Sequence, residues 1–419
     1  MKPDVIVLGA GMVGVSTALH LQSRGHDVVL VDRRPPGEET SFGNAGVIQR
    51  EAVEPYAFPR SALQLLRFAC KTGPEVNYHF RALPGLVGPL LRYWWFSAPA
   101  RYPAIAAAHA RLIEHCLGEH EVLIGQAGAD DLVRRDGFRF VYRSARALET
   151  DAAQARQLAQ DHGLACDLLD GDALARAEPA LKQPLAGALH WRDPWTVSSP
   201  GELVVRYAAL FRRKGGTVLT GDAASLARHG NIGWAVMTDD GKLEAANAVI
   251  ALGPWSVETA RRLGYRLPLF VKRGYHRHYR PPDGAARLAL PMLDAQKGVV
   301  LAPMAQGLRI TTGAEFARLE APSTPVQIDG AARAAAELLD IGTPVEPAPW
   351  RGARPCTPDM LPVVGAAPRH NGLWFHFGHA HQGFTLGPVT GRLIAEMIGG
   401  ERPFLDPSPY AVTRFAGGR

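Results

Sequence analysis

Three glycines and an acid carry the first recognisable chemistry in this chain. Residues 4–14 read DVIVLGAGMVG, which spaces Gly9, Gly11 and Gly14 as G-x-G-x-x-G, and Asp32 ends the next apolar run. Gly9 permits a sharp turn. Gly11 has no side chain to hold a pyrophosphate off the backbone, and Gly14 lets a helix pack close to a strand. The free N–H groups at the start of that helix face the phosphates. The Asp32 carboxylate can accept hydrogen bonds from a ribose diol. The set reads as a dinucleotide site and does not by itself separate NAD from FAD. The competing reading is a tight glycine-rich turn in some other α/β protein.

Two further stretches have the right composition to meet a ligand. Residues 40–46, TSFGNAG, are small enough to let backbone lie against a flat group, with Ser41 and Asn44 as hydrogen-bonding side chains; a plain surface loop is the alternative. Residues 378–385, GHAHQGFT, open a helix that runs to about residue 398. Its N–H groups and positive dipole end suit an electron-accepting ring that becomes anionic when reduced.

The elements that must position these residues follow from pattern. Strand 5–8, helix 13–23 and strand 28–31 form one βαβ unit, and strands 217–220, 234–238, 248–252 and 373–377 are expected beside it. Helices are predicted over 104–128, 150–162, 172–178, 200–213 and 328–339, and strands at 138–142 and within 188–197. Alternation over 269–279 and 298–312 suggests a second, more antiparallel sheet. Residues 83–96, LPGLVGPLLRYWWF, are amphiphilic but interrupted by Pro84, Gly85, Gly88 and Pro89. Trp94, Trp95 and Phe96 there suit a membrane interface, a core or a lid over a pocket.

Bulk properties narrow the class. A chain of 419 residues points to two domains, and 47% hydrophobic with 21% charged residues suits a globular enzyme. The net charge is +6, but lysine supplies only seven of the 46 basic residues, arginine the other 39, and no basic run of five occurs. That argues for genome composition and against a nucleic-acid partner. A mild attraction to an anionic membrane surface is compatible with it. Cys70, Cys116, Cys166 and Cys356 are scattered without a C-x-x-C pair, against a metal site or a disulfide framework and for a reducing compartment. No cleavable signal and no run of eighteen apolar residues is seen, so the expected location is cytoplasmic, or peripheral on the inner face of the membrane.

Taken in order, GAGMVG with Asp32, SFGNAG at 41–46, IALGPWS at 250–256, RPCTPD at 354–359 and GHAHQGFTLGP at 378–388 resemble the FAD-dependent oxidoreductases of the D-amino-acid oxidase superfamily. The bacterial D-amino-acid dehydrogenase branch is the nearest likeness, and it spans nearly the whole chain. The resemblance implies a mixed α/β (α+β) fold. A Rossmann-like FAD-binding domain would be assembled from 1–81, 197–266 and 350–419. A substrate domain with a mainly antiparallel sheet and helices would take 82–196 and 267–349. By motif match, Gly9, Gly11 and Gly14 would cradle the pyrophosphate. Asp32 would hold the adenosine ribose, and Arg33 beside it counts among the cofactor-binding residues. Ser41, Gly43, Asn44, Ala45 and Gly46 would run past pyrophosphate and flavin. The backbone near Ala223 would meet the adenine, with Gly253 close by. Gly378, His379, Gly383, Phe384 and Thr385 would line the isoalloxazine ring. The second loop has no histidine and Cys356 lies well before the C-terminal loop, so the FAD is expected to be non-covalent.

The reaction so implied is oxidation of a C–N bond next to a carboxylate. A hydride leaves Cα for flavin N5, and the imino acid is hydrolysed to a keto acid. An arginine fork suits the small-molecule amino-acid substrate's carboxylate. Arg354 leads because it precedes the TPD segment; Arg273 and Arg309 follow, each with a salt-bridged or solvated role as the alternative. The strand through Lys272–His276 would face the substrate, where Tyr275 or His276 could hydrogen-bond the carboxylate or accept the amine proton. His381 would reach the pocket and tune substrate choice. Electrons would pass to a quinone or an electron-transfer acceptor. Alternatives are a cyclic or secondary amino-acid dehydrogenase or oxidase (D-proline, hydroxyproline, sarcosine or opine-like), a non-catalytic FAD-binding subunit, and a nicotinamide enzyme.

Overall fold

Strand Val5–Leu8 sits between Val28–Asp32 and Asn247–Ile250, parallel to both, and its four residues have no exposed surface. Burial on both faces explains why it is a continuous apolar run without alternation. Thr217–His229 extends this parallel core beyond Val28–Asp32, and Leu373–Phe377 extends it beyond Asn247–Ile250. Antiparallel strands close both edges, giving eight strands in all. The computed structural model describes residues 3–70, 76–230 and 233–415.

The first glycine turn folds as its spacing demands. Gly9 has φ +109°, and a Cβ there would lie 2.4 Å from the Ala251 carbonyl oxygen. A Cβ on Gly14 would lie 1.8 Å from the Gly9 carbonyl oxygen, so no side chain fits where helix Met12–Gln22 crosses the strand end. The same helix packs on the C-terminal helix Gly383–Ile398. Gly387 and Gly391 allow the close approach: a Cβ on Gly387 would meet Met12 Cγ at 2.7 Å. The two glycine segments at opposite ends of the chain therefore share one helix interface.

The second sheet has eleven strands and is mainly antiparallel. Its central strand Phe270–Arg280 pairs with Trp350–Cys356 over seven residues, from Phe270↔Cys356 to His276↔Trp350. On the other side it meets Gly307–Thr311 and Ala314–Phe316. Two segments expected in the nucleotide-binding unit, Val76–Tyr78 and Trp350–Cys356, hydrogen-bond into this second sheet instead.

Several predicted elements differ in extent. The single helix expected over 104–128 is two, Tyr102–Glu114 and Cys116–Ala127. The strand at 217 runs on to His229, and 298–312 is a hairpin of Val299–Met304 and Gly307–Thr311. Helix Ala62–Ala69 and strand Gly241–Ala245 have no counterpart in the sequence reading. Leu83–Phe96 is one continuous helix despite its prolines. Pro84 occupies the helix start, where a missing N–H costs nothing. Pro89 withdraws the donor for the Gly85 carbonyl, but Gly85 is exposed and water can replace it.

A buried ion pair pins the second sheet. Arg273 has no exposed surface, and its Nε donates to Glu315 Oε2 at 2.7 Å. Its guanidinium also donates to the carbonyls of Ala321 (2.6 Å) and Pro322 (2.8 Å). Burial alone would raise the Glu315 carboxyl, but hydrogen bonds from Thr324 and Tyr275 and the Arg273 charge outweigh it and hold it below the ordinary value. Removing the cation strands a buried carboxylate, which costs about 3–5 kcal/mol. Arg273→Met should lose stability on that scale in urea unfolding. A midpoint unchanged from wild type would show that the pair contributes nothing.

Candidate active site

One large cavity, about 1120 Å³, runs across the carboxyl ends of the parallel strands and into the second sheet. This is the crevice where open α/β sheets bind ligands. Gly9, Gly11, Asp32, Arg33, Ala223 and Gly253 line one end. Ser41, Gly43, Asn44 and Ala45 follow, then Gly378, His379, Gly383 and Phe384. The far wall is built by Tyr56, Lys272, Gly274, Arg354 and His381. Residues more than three hundred positions apart thus meet on one space.

The nucleotide end is already organised. Asp32 Oδ2 accepts from the Ala10 N–H at 2.6 Å and Oδ1 from the Arg34 N–H at 3.1 Å. Burial raises its pKa, while the N–H groups of Ala10, Arg34 and Arg33 pull it down. Ser41 Oγ accepts from the Met12 N–H at 3.0 Å, capping the helix from a loop 29 residues away. That bond docks the 40–46 loop against the glycine turn. Arg309 holds the same loop from below: its guanidinium donates to the carbonyls of Phe42 and Asn44 and, through Nε, to His278 Nε2 at 2.9 Å. Arg309 is 1% exposed and does not face the cavity, which removes it as a candidate for the substrate carboxylate. Three expected cofactor contacts also lie off the cavity surface. Gly14 packs beneath the turn, and Gly46 turns at φ +70° against Val197. Thr385 Oγ1 accepts the Gln49 N–H at 3.2 Å.

The helix under the second glycine segment is braced by histidines. Pro388 has no N–H for the Phe384 carbonyl four residues earlier. His120 supplies the missing donor, its Nε2–H reaching that carbonyl at 3.0 Å. His379 Nε2 lies 2.9 Å from Thr390 Oγ1, one turn further along. Both rings are buried and held neutral: burial lowers His120 to about 4 and His379 to about 3.

The far wall depends on strand parity. Side chains on one face of Phe270–Arg280 alternate with those on the other. Arg273 points away from the cavity into the Glu315 network, and the Tyr275 hydroxyl joins that network although Tyr275 also lines the cavity. The Tyr275 hydroxyl donates to Glu315 Oε2 at 2.8 Å and accepts from the Thr324 N–H at 2.8 Å. Arg273 is therefore spent on Glu315, against the expectation for it at the substrate, whereas Tyr275 stays on the cavity lining. Lys272, Gly274 and His276 take the other face. His276 does not reach the cavity, however, because Trp350 stacks on it at 4.8 Å between ring centroids and 18° between planes. Burial, with Arg309 and His278 adding their charge, lowers His276 to about 2, and its Nδ1 has no hydrogen-bond partner among the described residues. A solvent-shielded ring in that state is not placed to exchange protons with a substrate.

Arg354 does face the cavity. Gly274 makes its place: a Cβ there would lie 2.7 Å from both terminal guanidinium nitrogens. One of these nitrogens donates to the Gly313 carbonyl at 3.2 Å, and among the described residues no carboxylate pairs with the group. Burial lowers its pKa, and Cys356 and Tyr56 push back. His381 packs edge-on to Tyr56 at 5.0 Å, and burial with the charges of Arg354 and Lys272 keeps its imidazole neutral. Lys272 had a sequence signal in its strand position, but parity relative to the cavity could not be read. Tyr56 and Trp350 carried none.

Comparison with known proteins identifies the family. Residues 4–397 match the DAO model, described as FAD dependent oxidoreductase. The chain belongs to that family. It is 30% identical over 421 residues to a D-amino-acid oxidase of Bradyrhizobium diazoefficiens, covering 98% of each chain. It is 29% identical over 429 residues to a D-amino acid dehydrogenase of Granulibacter bethesdensis, covering 99% of this chain and all of the relative. Glycine oxidase from Geobacillus kaustophilus shares the fold with a TM-score of 0.73 at 23% identity, covering 99% of this chain and 100% of that one. The protein is an FAD-dependent oxidoreductase. The cradle fits the cofactor: glycines that no Cβ could replace, an acid at the second strand tip and a helix N-terminus meet at one end of a cavity of sufficient length. Among the described residues no cluster of metal-ligating side chains occurs, and no helix is long and apolar enough to cross a membrane.

The neutral histidines have a pH consequence. The unfolded chain takes up protons on His109, His120 and His379 near the ordinary value of 6.5, whereas in the folded state these sit at about 4, 4 and 3. Folding therefore excludes protons, and stability falls as pH drops from about 6.5 toward 4. Glu51, raised by burial to about 7, works the other way between 4.5 and 7, but the lowered histidines, with His20 at about 3 and His276 at about 2 among them, outnumber it. Thermal midpoints measured from pH 7 down to 4 should decline throughout. A flat profile over that range would contradict the assignment of neutral rings.

Proposed function

We propose that the protein oxidises a D-amino acid at the C–N bond beside its carboxylate and passes the electrons to a quinone or another acceptor that is not oxygen. The observation that carries this reading is Arg354: a bidentate cation without a carboxylate partner, aimed into the cavity beyond the second glycine segment. Its planar fork matches a carboxylate. The D configuration is supported by the names of the relatives, D-amino-acid oxidase and D-amino acid dehydrogenase. Non-covalently bound FAD supplies the two-electron acceptor. The chain's own residues do the rest. Arg354 fixes the carboxylate and with it the orientation of Cα, the positioning on which rate depends. The Arg354 charge, beside a neutral His381, offers a substrate ammonium no counter-charge and so favours the neutral amine that oxidation requires. Water then hydrolyses the imino acid product to a keto acid, releasing ammonia.

The membrane contact belongs to the same reading. Helix Leu83–Phe96 lines the cavity with Leu83, Leu90 and Tyr93 and leaves Val87, Leu91, Trp94 and Trp95 exposed. Arg60 stacks on Trp94 at 4.3 Å and Arg101 on Trp95 at 3.6 Å. Between residues 60 and 101 the chain carries Arg60, Arg67, Lys71, Arg81, Arg92 and Arg101 against Glu75 alone. Aromatic rings under basic residues suit an anionic lipid interface, where an apolar quinone is available.

Anaerobic mixing of the FAD-loaded protein with D-alanine, D-proline, hydroxyproline isomers, N-methylglycine and L-proline tests the reaction. Bleaching of the flavin by a D-amino acid is expected; bleaching by none of these, nor by D-glutamate or N-(carboxymethyl)glycine, would identify a non-catalytic FAD-binding subunit. Arg354→Met should retain the flavin spectrum and lose kcat/KM by roughly 30-fold or more, with Arg354→Lys recovering part of it. Replacing Trp94 and Trp95 together by Ser should weaken co-sedimentation with phosphatidylglycerol vesicles several-fold and slow quinone reduction, while flavin reduction by substrate stays unchanged. Equal vesicle binding by the variant would rule this helix out as the contact.

A further inference from the structure

Lys272 and Arg354 are direct cross-strand partners in the ladder between Phe270–Arg280 and Trp350–Cys356. Like charges placed opposite each other on one sheet face destabilise it, and both of these are largely removed from water. Lys272 is 6% exposed. No carboxylate among the described residues pairs with either. The groups that touch Lys272 are neutral. The Tyr93 hydroxyl lies 3.5 Å from Nζ and donates its own proton to the Tyr56 carbonyl at 2.6 Å. The rings of Tyr93 and Phe270 lie 4.6 and 5.7 Å away. Burial pushes both the Tyr93 hydroxyl and the Cys356 thiol up, so neither supplies an anion. Both cations line the cavity. A buried charge needs a partner or it sheds its proton, and burial with the Arg354 charge does lower Lys272; an anion arriving from the open side of the cavity would restore the cation.

We infer that the wall formed by Lys272 and Arg354 selects a substrate with two carboxylates, Arg354 taking the one beside the reacting carbon and Lys272 the second. This inference rests on the reading of Arg354 above and goes beyond it by naming the substrate class. Two chemistries satisfy it: a primary D-amino acid with an acidic side chain, and a secondary amine that joins two carboxylate arms. Lys272 is a specificity residue in this account, and it takes no part in the bond changes.

Matched pairs that differ only in the second charge test it on the FAD-loaded enzyme. D-Glutamate is compared with D-glutamine, and N-(carboxymethyl)glycine with N-methylglycine, by the rate of anaerobic flavin reduction. Wild type should favour the dianionic member of at least one pair by roughly tenfold or more. Lys272→Met should lower kcat/KM for that member by roughly 30-fold or more and leave its neutral partner within about 3-fold. Equal loss for both members would make Lys272 a structural or proton-handling group and overturn the inference. Binding gives a readout that survives loss of turnover: glutarate should perturb the flavin spectrum at lower concentration than butyrate, and Lys272→Met should remove that difference. A wild type that is reduced by neutral D-amino acids without preferring dianions refutes the inference alone. A wild type reduced by no amine refutes the amine-oxidation reading, and the glutarate titration then decides the second-carboxylate site independently.

Discussion

The seven-residue pairing of Phe270–Arg280 with Trp350–Cys356 is the constraint on which the far half of the cavity depends. A strand has two faces, and a one-residue slip would exchange them. In the observed register Gly274 vacates the volume that the Arg354 guanidinium fills, while Arg273 turns to the opposite face and is consumed by Glu315. The same ladder reaches the second glycine segment. Cys356 bridges to His379, and the Ala380 N–H donates to the Pro355 carbonyl at 2.9 Å. The strand that presents the cation is thus fastened to the second glycine segment, which lines the same cavity.

The near half rests on backbone crowding. Gly9 and Gly14 touch at a distance that excludes any side chain, and Gly387 repeats the device between the first and last helices. Thr17 Oγ1 and His376 Nδ1, 2.7 Å apart, add a polar tie between the first helix and strand Leu373–Phe377. The cost of a proline inside the C-terminal helix is met by His120, which comes from a different helix altogether. Head and tail of the chain are therefore fixed relative to each other before any ligand is considered, as a preorganised site requires.

Charge is distributed unevenly along the cavity. Buried imidazoles around the helix start are neutral, and the carboxylates near the wall are either spent, as Glu315 is on Arg273, or turned elsewhere, as Glu346 is toward His278. At the far wall the charged side chains that face the space are Lys272 and Arg354, while Asp32, Glu39, Asp222 and Glu258 line the rest of the cavity. A low-dielectric wall strengthens the attraction of such cations for anions.

Much of this was legible in the sequence because local rules suffice for it. The glycine spacing, Asp32, the helix at 200–213 with its leading proline and the strand at 373–377 each follow from residue type and neighbours alone. Arg354 was reached only through the resemblance, by the segment it precedes; the structure places it on the cavity lining. The choice among Lys272, Arg273, Tyr275 and His276 was not legible, because alternation gives two faces without saying which one looks onto the cavity. Nor could sequence show that Trp350 would cover His276 or that Arg309 would spend its donors on the 40–46 loop. The sequence by itself determined the dinucleotide-binding turn and the order of the motifs, since those depend on steric limits within a few residues. Only the tertiary structure decided which buried cations are paired and which face the cavity, because a partner for a charge is found across strands and loops that the linear order keeps far apart.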